Sequence, residues 1–417
     1  MQNQVIIQLF HWYLPADCQH WKFLAGEVDK LSRLGFTMVL LPPPYKSAKG
    51  REEPGYAVYD LYDLGEFDQK GTIPTKYGTK EEYLELLHLL QQAGILPIAD
   101  LVLNHKLGGD EMQQVPVRAV DRNNRTHYLS DEQQVEMDCG FRFPGRNKTY
   151  SAFEWNWDCF SGFEKDGQVW KIQSDYSRDS WDWLLSTEKG NFNYLLGLDI
   201  EFRNPAVREE LLRWLNWFIA STGHQGFRLD GLKHMNPGFT ASVLQNLQEQ
   251  TTENSIVIGE YLSHNKQELA AFLEQVNFAC NLFDFPLHKN FMDAAKLGEH
   301  YDLRTMFNGS LVQEYPLNAI TYVDNHDTQP LQEKNNYIPD WFRRLAYTLI
   351  LLREGGIPVV FYCDIYGAEY GKDAARIQLR PLELLPQLLS LRKITRMGAK
   401  EIFLTVRKPL PGREKVV

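Results

Sequence analysis

Four segments of the chain place polar, chemically competent side chains directly after an apolar run. The residues that end these runs are carboxylates, imidazoles, amines and a guanidinium, and the segments are 100–105, 226–234, 256–260 and 322–327. A single polar residue at the end of a buried strand is usually a solvated position at the rim and contributes nothing to the hydrophobic core. Four of them in one chain favour a common site at which several strands end.

Two carboxylates in these segments have the types and surroundings that bond cleavage at a sugar requires. Arg228 and Asp230 are two residues apart on a predicted strand and therefore share a face. We expect the guanidinium to lower the pKa of Asp230 and keep it ionised as a nucleophile for an anomeric carbon. Glu260 follows a wholly apolar strand, where desolvation is expected to raise its pKa and keep it protonated as a general acid. Carboxyl groups about 5–5.5 Å apart would indicate double displacement with retention, and about 6.5–9.5 Å would indicate inversion. The sequence leaves this distance open.

Further polar side chains in the same segments are suited to binding substrate hydroxyl groups. Asp327 supplies a third carboxylate, which could hold hydroxyls and distort a sugar ring. The candidate hydrogen-bond donors are His105, Lys233, His234 and His326. For each histidine, a structural role inside the core fits the sequence as well as a role in binding.

Eight short β-rich runs alternate with helical patterns and must position these residues. The predicted strands cover 5–10, 37–41, 95–103, 226–229, 256–259, 281–283, 319–323 and 359–362. The predicted helices include 21–34, 81–93, 205–220 and 341–353. Parallel-type strands with intervening helices predict an α/β protein with a (β/α)8 TIM barrel, whose active site would lie at the carboxyl ends of the strands.

A long polar stretch separates the third predicted strand from the fourth. It is rich in Asn, Asp and Trp, poorly periodic, and too long for a plain loop. We therefore predict a small inserted domain over 106–205, a catalytic barrel over 1–105 and 206–397, and a remnant C-terminal tail over 398–417. The total of 417 residues is the length expected for a barrel with an insertion.

Composition narrows the class of protein and its partners. Hydrophobic residues make up 43% and charged residues 24%, as in a globular enzyme. The net charge is −10 and no Lys/Arg block is present, so neither nucleic acid nor an anionic membrane is expected as a partner. No secretory signal is visible, and the five cysteines are scattered without a Cys-x-x-Cys pair, so we expect a reducing cytoplasm. Dinucleotide, Walker and Gly-x-Ser-x-Gly motifs are also absent from the sequence.

The four segments resemble the four signature regions of the α-amylase family of glycoside hydrolases, in particular its bacterial liquefying and cytoplasmic members. The resemblance extends through 8–13, 55–71, 143–146 and 362–367 and so covers most of the chain. It implies that Asp230 is the nucleophile, Glu260 the acid/base and Asp327 the transition-state stabiliser. It also implies sugar contacts at the cleavage site by Tyr56, His105, Arg228 and His326, acceptor-side contacts by Lys233 and His234, and a cleft extended by Tyr13.

The same resemblance implies a calcium ion where the barrel meets the insertion. Its ligands would be Asn104, Asn193, Asp199 and the backbone carbonyl of His234. All are oxygen donors, as a hard cation requires, although ordinary turn residues would have the same types.

Secreted liquefying members carry a neighbouring acidic cluster that holds further cations. The matching positions here are Ser161, Glu201 and Arg203, with Asp182 retained. A missing carboxylate at position 161 and a cationic side chain at position 203 oppose a second metal. We therefore expect one calcium ion rather than a cluster.

The resemblance implies endo-acting hydrolysis of α-1,4-glucosidic bonds in starch, glycogen or maltodextrin. Two alternatives stay open, a glucan transglycosylase and a catalytically weak glucan-binding protein. The second is suggested by the family's C-terminal β-sandwich, which is largely missing because the chain stops at Val417. Either the protein is natively shortened, or a partner or a second copy covers the exposed flank. The three intact carboxylates argue for an enzyme.

Overall fold

Eight parallel strands close into a barrel in the computed structural model, which describes residues 3–394 except 179, 254, 333–335 and 373–374. Their order around the barrel follows the chain, and the first strand pairs with both the second and the eighth. The barrel strands are Ile6–Gln8, Met38–Leu40, Leu96–Leu101, Gly226–Leu229, Ile256–Gly259, Asn281–Phe283, Ala319–Tyr322 and Ile357–Phe361. The predicted (β/α)8 barrel is confirmed.

Helices follow the strands and pack their apolar faces against the barrel. Their bounds are His20–Leu34, Lys80–Gln92, Pro205–Thr222, Pro237–Gln250, Lys266–Gln275, Phe285–Leu297, Leu311–Glu314, Asp340–Leu351, Tyr362–Tyr366 and Leu385–Ile394. Local sequence explains several ends. Thr79 and Glu82 form a capping box at the start of the second helix, and Gly35 ends the first with φ 90°.

The chain between the third and fourth barrel strands forms a six-stranded antiparallel sheet. In spatial order its strands are His105–Lys106, Leu198–Ile200, Phe160–Lys165, Gln168–Ile172, Glu111–Val120 and Gln133–Gly140. The first two are the entry and exit strands of the insertion, and they pair with each other, with Asp199 opposite His105. Both ends of the insertion therefore leave the barrel at one place.

Smaller elements complete the described part of the chain. Two-stranded sheets pair Lys46–Ser47 with Val58–Asp60 and Ala368–Tyr370 with Ile377–Leu379, and 3-10 helices span Gly50–Glu52, Trp157–Cys159, Leu232–His234, Gly298–His300 and Leu303–Thr305. None of the helices in the described ranges is long and apolar enough to cross a membrane. The predicted tail over 398–417 lies outside the described residues.

The four polar segments follow the third, fourth, fifth and seventh barrel strands. The sixth strand is followed by Asp284, whose buried carboxylate accepts hydrogen bonds from the backbone N–H groups of Leu287, Leu311 and Val312. This strand end therefore caps local helices, while the other four supply the candidate site.

Candidate active site

Arg228 lies at the centre of the carboxylates at the barrel mouth. Its Nη1 donates to Asp230 Oδ1 at 2.8 Å, and its Nη2 donates to Glu260 Oε2 at 2.7 Å. The guanidinium is buried, and both carboxylate side chains are 12% exposed. The fourth strand therefore brings the predicted nucleophile and the predicted acid/base to one cation.

A third carboxylate, Asp100, shares the same guanidinium. Its oxygens accept hydrogen bonds from Arg228 Nη1 at 2.6 and 2.8 Å and from the hydroxyl of Tyr56 at 2.6 Å. Asp100 stands opposite Arg228 in the pairing of the third and fourth strands, which explains the contact. The sequence placed Asp100 in a signature segment but assigned it no role. The signal that could have identified it is a carboxylate inside the apolar run 95–103, because a buried charge needs a partner.

The pKa predicted for Asp230 was wrong in direction. Burial raises the pKa of Asp230 well above its ordinary value, and the negative charges of Glu260, Asp100 and Asp327 act in the same direction. Arg228 opposes this shift, but it divides its charge among three carboxylates. The guanidinium therefore limits the rise in pKa rather than reversing it.

Aromatic rings border the carboxylate cluster on one side. The ring of Tyr56 stacks on that of His326 with centroids 5.1 Å apart, and Trp12 stacks on both. Flat apolar faces beside polar groups are suited to a sugar, which has both kinds of surface.

The segment after the seventh strand holds His326, which is one of these stacked rings, and its neighbour Asp327. His326 is buried, and its Nε2 lies 3.7 Å from Asp327 Oδ1. The backbone N–H groups of Asp327 and Thr328 both donate to the side chain of Asn325, which fixes the turn. The structure thus brings together Tyr56, Arg228, Asp230, Glu260, His326 and Asp327, which come from separate parts of the chain.

His105 joins the site through Tyr56. Its Nε2 donates to the backbone carbonyl of Tyr56 at 2.8 Å, and its Nδ1 is buried without a hydrogen-bond partner among the described residues. Burial lowers the pKa of His105 to about 4, so the ring is neutral near pH 7. Since a carbonyl can only accept, the proton is on Nε2 and Nδ1 offers a lone pair.

Lys233 and His234 contact the insertion. Lys233 Nζ lies 2.6 Å from the carboxylate of Glu188, and His234 Nδ1 lies 2.6 Å from the carbonyl of Phe192. Glu188 is a partner that the sequence did not indicate. These contacts fasten the loop after the fourth strand to the insertion.

Tyr13 contacts the 331–332 turn and Tyr370 rather than the residues around Arg228. Its hydroxyl donates to the carbonyl of Leu331 at 2.8 Å and accepts from Gln332 at 3.0 Å, and its ring stacks on Tyr370 at 4.4 Å. It is placed by the 331–332 turn and Tyr370.

The four predicted calcium ligands converge where the insertion meets the barrel. Asn104 Nδ2 lies 3.4 Å from Asp199 Oδ1, and Asn193 Nδ2 donates to the carbonyl of His234 at 3.2 Å. Asn104 Oδ1 is buried with no hydrogen-bond partner in the described ranges. Burial raises the pKa of Asp199, and no lysine or arginine forms an ion pair with it among the described residues. The donor set fits a hard cation.

Among the adjacent positions, Glu201, Arg203 and Ser161 have partners within the protein, whereas Asp182 Oδ2 is buried with no hydrogen-bond partner among the described residues. Arg203 forms an ion pair with the buried carboxylate of Glu201 at 2.8 Å, and it also donates to Ser180. The hydroxyl of Ser161 lies within hydrogen-bond distance of two acceptors, Asn193 Oδ1 at 3.1 Å and Asp199 Oδ2, and its one hydrogen is available to either. Among the described residues, no group of three or more His, Cys, Asp and Glu side chains could hold a metal.

Comparisons with known proteins agree with this architecture. The family model described as "Alpha amylase, catalytic domain" matches residues 19–380. The chain is 40% identical to the cytoplasmic alpha-amylase of Escherichia coli (strain K12) over 416 residues, which cover 97% of this chain and 83% of that protein. It is 39% identical to the alpha-amylase of Bacillus licheniformis over 406 residues, which cover 96% and 78%. The solved alpha-amylase of Geobacillus thermoleovorans, complexed with acarbose, shares the fold with a TM-score of 0.60 at 18% identity, covering 94% of this chain and 79% of that one.

A closed parallel barrel whose strand ends gather carboxylates, together with these relatives, defines the class of the protein as a glycoside hydrolase. Within that class, the chain belongs to the alpha-amylase family.

Proposed function

We propose that the protein cleaves internal α-1,4-glucosidic bonds of starch, glycogen or maltodextrin by double displacement with net retention. The observation that carries this proposal is that Asp230 and Glu260 bind the two terminal nitrogens of one guanidinium. One planar cation reaches both carboxyl groups only when they are near neighbours. This supports the short separation, about 5–5.5 Å, that retaining enzymes use. The relatives named alpha-amylase support the choice of α-glucan.

In the first step, Asp230 attacks the anomeric carbon as the glycosidic bond breaks. Glu260 gives its proton to the departing oxygen, and a covalent β-linked glycosyl-enzyme forms on Asp230. Arg228 holds both carboxyl groups in place during the exchange. Asp327, beside His326, is suited to bind sugar hydroxyls as the ring distorts.

In the second step, Glu260 acts as a base. It takes a proton from water, whose oxygen attacks the anomeric carbon and releases Asp230. The product regains the α configuration, and Glu260 regains its proton. The cycle needs one proton and one ionised nucleophile in the cluster. Three carboxyl groups around one guanidinium favour holding that proton, because full ionisation would leave two uncompensated negative charges.

The binding of one calcium ion is part of the proposal. Asn104, Asn193, Asp199 and the carbonyl of His234 would hold it, supported by the unpartnered Asn104 oxygen and the buried Asp199 carboxylate. A bound calcium would tie the insertion to the barrel and has no step in the chemistry. Arg203, paired with Glu201, supports a single ion.

We further propose that the protein works in the cytoplasm. All five cysteines, each within the described residues, are buried and free, which suits a reducing compartment. The E. coli relative is named as cytoplasmic.

Digestion of soluble starch, with products resolved by chain length over time, tests the activity. Endo-hydrolysis should release long oligosaccharides first and shorter ones later. Products longer than a supplied maltooligosaccharide would instead indicate transglycosylation, and binding without cleavage would indicate a glucan-binding protein. Asp302→Asn is a matched control, because it makes the same kind of change in a carboxylate that forms an exposed ion pair with Arg304 outside the carboxylate cluster.

A further inference from the structure

Gln8 is a buried amide at the end of the first barrel strand, and it contacts the active-site wall. Its residue exposure is 2%. An amide buried this deeply is costly unless it is hydrogen-bonded. Its Nε2 lies 2.6 Å from Nδ1 of His326, across the eighth strand that separates the first from the seventh. The contact therefore links two strand ends that are 318 residues apart in the chain.

The chemistry of this contact fixes where the His326 ring carries its proton. An amide nitrogen can only donate, so His326 Nδ1 must accept with its lone pair. Burial lowers the pKa of His326, so the ring is neutral near pH 7 and keeps one N–H. That N–H is then on Nε2, which faces Asp327 at 3.7 Å. The second nitrogen of the ring is thus a donor on the substrate side.

We infer that Gln8 is a positioning residue of the active site, which holds His326 in the Nε2–H form so that His326 donates a hydrogen bond to a substrate hydroxyl. The inference rests on the proposed function, because it takes His326 as a sugar contact. Within the described part of the chain, Gln8 makes its side-chain hydrogen bond to His326 and not to Asp230 or Glu260. It acts through the imidazole, which stacks on Tyr56 at 5.1 Å and cannot turn freely.

His105 shows why the form of the ring matters. Its Nε2 donates to the carbonyl of Tyr56, so its free nitrogen is an acceptor. His326 has the opposite arrangement, with Gln8 bound to Nδ1. The two histidines near Tyr56 thus have their protons placed by different partners. A change of form at His326 would replace the N–H that faces Asp327 by a lone pair, which cannot donate to a sugar hydroxyl.

Nitrogen-15 NMR of histidine-labelled protein tests the inference without any substrate. The His326 signals are assigned by their loss in His326→Gln. We expect the wild-type proton on Nε2, and a proton on Nδ1 would overturn the inference. Gln8→Glu replaces the donor by an acceptor of the same shape and should place a proton on Nδ1. Gln8→Leu removes the contact and should mix the two forms.

Kinetics with a defined maltooligosaccharide complete the test. Gln8→Leu and Gln8→Glu should lower kcat/KM by about tenfold or more, the value of one hydrogen bond to substrate. Gln113→Leu, which removes a half-buried amide in the insertion, is the control and should leave both the His326 signals and kcat/KM unchanged. Unchanged His326 signals in both Gln8 variants would overturn the inference, as would altered signals with kcat/KM kept within twofold.

The two readouts separate this inference from the proposed function. If wild-type protein does not cleave α-glucan, the function fails while the NMR result still reports the form of His326. If Gln8→Glu does not fold, as judged by circular dichroism, the wild-type spectrum and the Gln8→Leu variant still test where His326 carries its proton.

Discussion

Asp230 and Glu260 accept hydrogen bonds from the two terminal nitrogens of a single guanidinium, at 2.8 and 2.7 Å. Asp100 also accepts a hydrogen bond from the same guanidinium. The cluster therefore carries more negative than positive charge when fully ionised. The protonation of each carboxylate therefore depends on the charge of the others.

Removal of either reacting carboxylate should abolish hydrolysis. Asp230→Asn and Glu260→Gln keep the shape and the contact with Arg228, so the fold should persist while starch cleavage falls by at least about a thousandfold, or about 4 kcal/mol in barrier. Reducing-end assays check the rate, and circular dichroism checks the fold. Activity within about tenfold of wild type in either variant would show that its assigned role is wrong.

Asp100→Asn should move the acidic limb of the pH profile of kcat/KM to lower pH. The negative charge of Asp100 helps to raise the pKa of Asp230, so its removal lowers that pKa and lets the nucleophile ionise in more acidic solution. The limb position is measured against Asp302→Asn, which should not shift it. A limb that stays in place or moves to higher pH contradicts the coupling of these two carboxylates.

The newly formed reducing end should appear as the α-anomer. Two displacements, first by Asp230 and then by water, each invert the anomeric carbon, so the net result is retention. Proton NMR in the first minutes of digestion, before mutarotation, resolves the anomers. An initial β signal would mean a single displacement by water and would make Asp230 a general base.

Calcium removal should lower the melting temperature. An ion that binds the native state alone stabilises it by mass action, and Asp199 with Asn104 provides buried oxygens for it. Elemental analysis should find one tightly held calcium per chain, and Asp199→Asn should remove both the ion and the effect of a chelator. Two or more tightly bound ions, or a melting temperature indifferent to chelator, would disprove the single site.

Arg343→Met should destabilise the fold by about 3–5 kcal/mol. Arg343 lies 2.8 Å from Asp364 and 3.9 Å from Asp324, and both carboxylates are fully buried. Without the guanidinium they are left as unpaired charges in the core. Denaturant unfolding measures the loss. Arg304→Met, which breaks an exposed pair, should leave the midpoint unchanged.

The sequence was sufficient for the barrel and for the residues that end its strands. Hydrophobic runs such as 226–229 are bounded by sharp changes to polar residues, so the strand over Gly226–Leu229 was located without error. Arg228 and Asp230 were paired correctly because their spacing of two fixes a common face. These are local properties of the chain.

The properties that were missed depend on contacts between distant segments. The pKa of Asp230 was predicted in the wrong direction because burial has the largest effect on it, and because strand pairing adds the negative charge of Asp100 beside Arg228. Gln8 lay in the segment 8–13 that carries the resemblance but was assigned no role, because Leu9 and Phe10 follow it and it resembled an interior strand position. The strand order of the six-stranded sheet could not be predicted either, because strands distant in the sequence pair with each other.

Because its entry and exit strands pair with each other, the insertion is a module that joins the barrel at one place. Because His105 and Asp199 already stand side by side, the barrel need not span any gap when the intervening chain grows, shrinks or is exchanged. Divergence of that segment in evolution would change the residues that contact Lys233 and His234, while His105 stays next to the third barrel strand. The same junction is a natural site for grafting a foreign insertion onto this barrel.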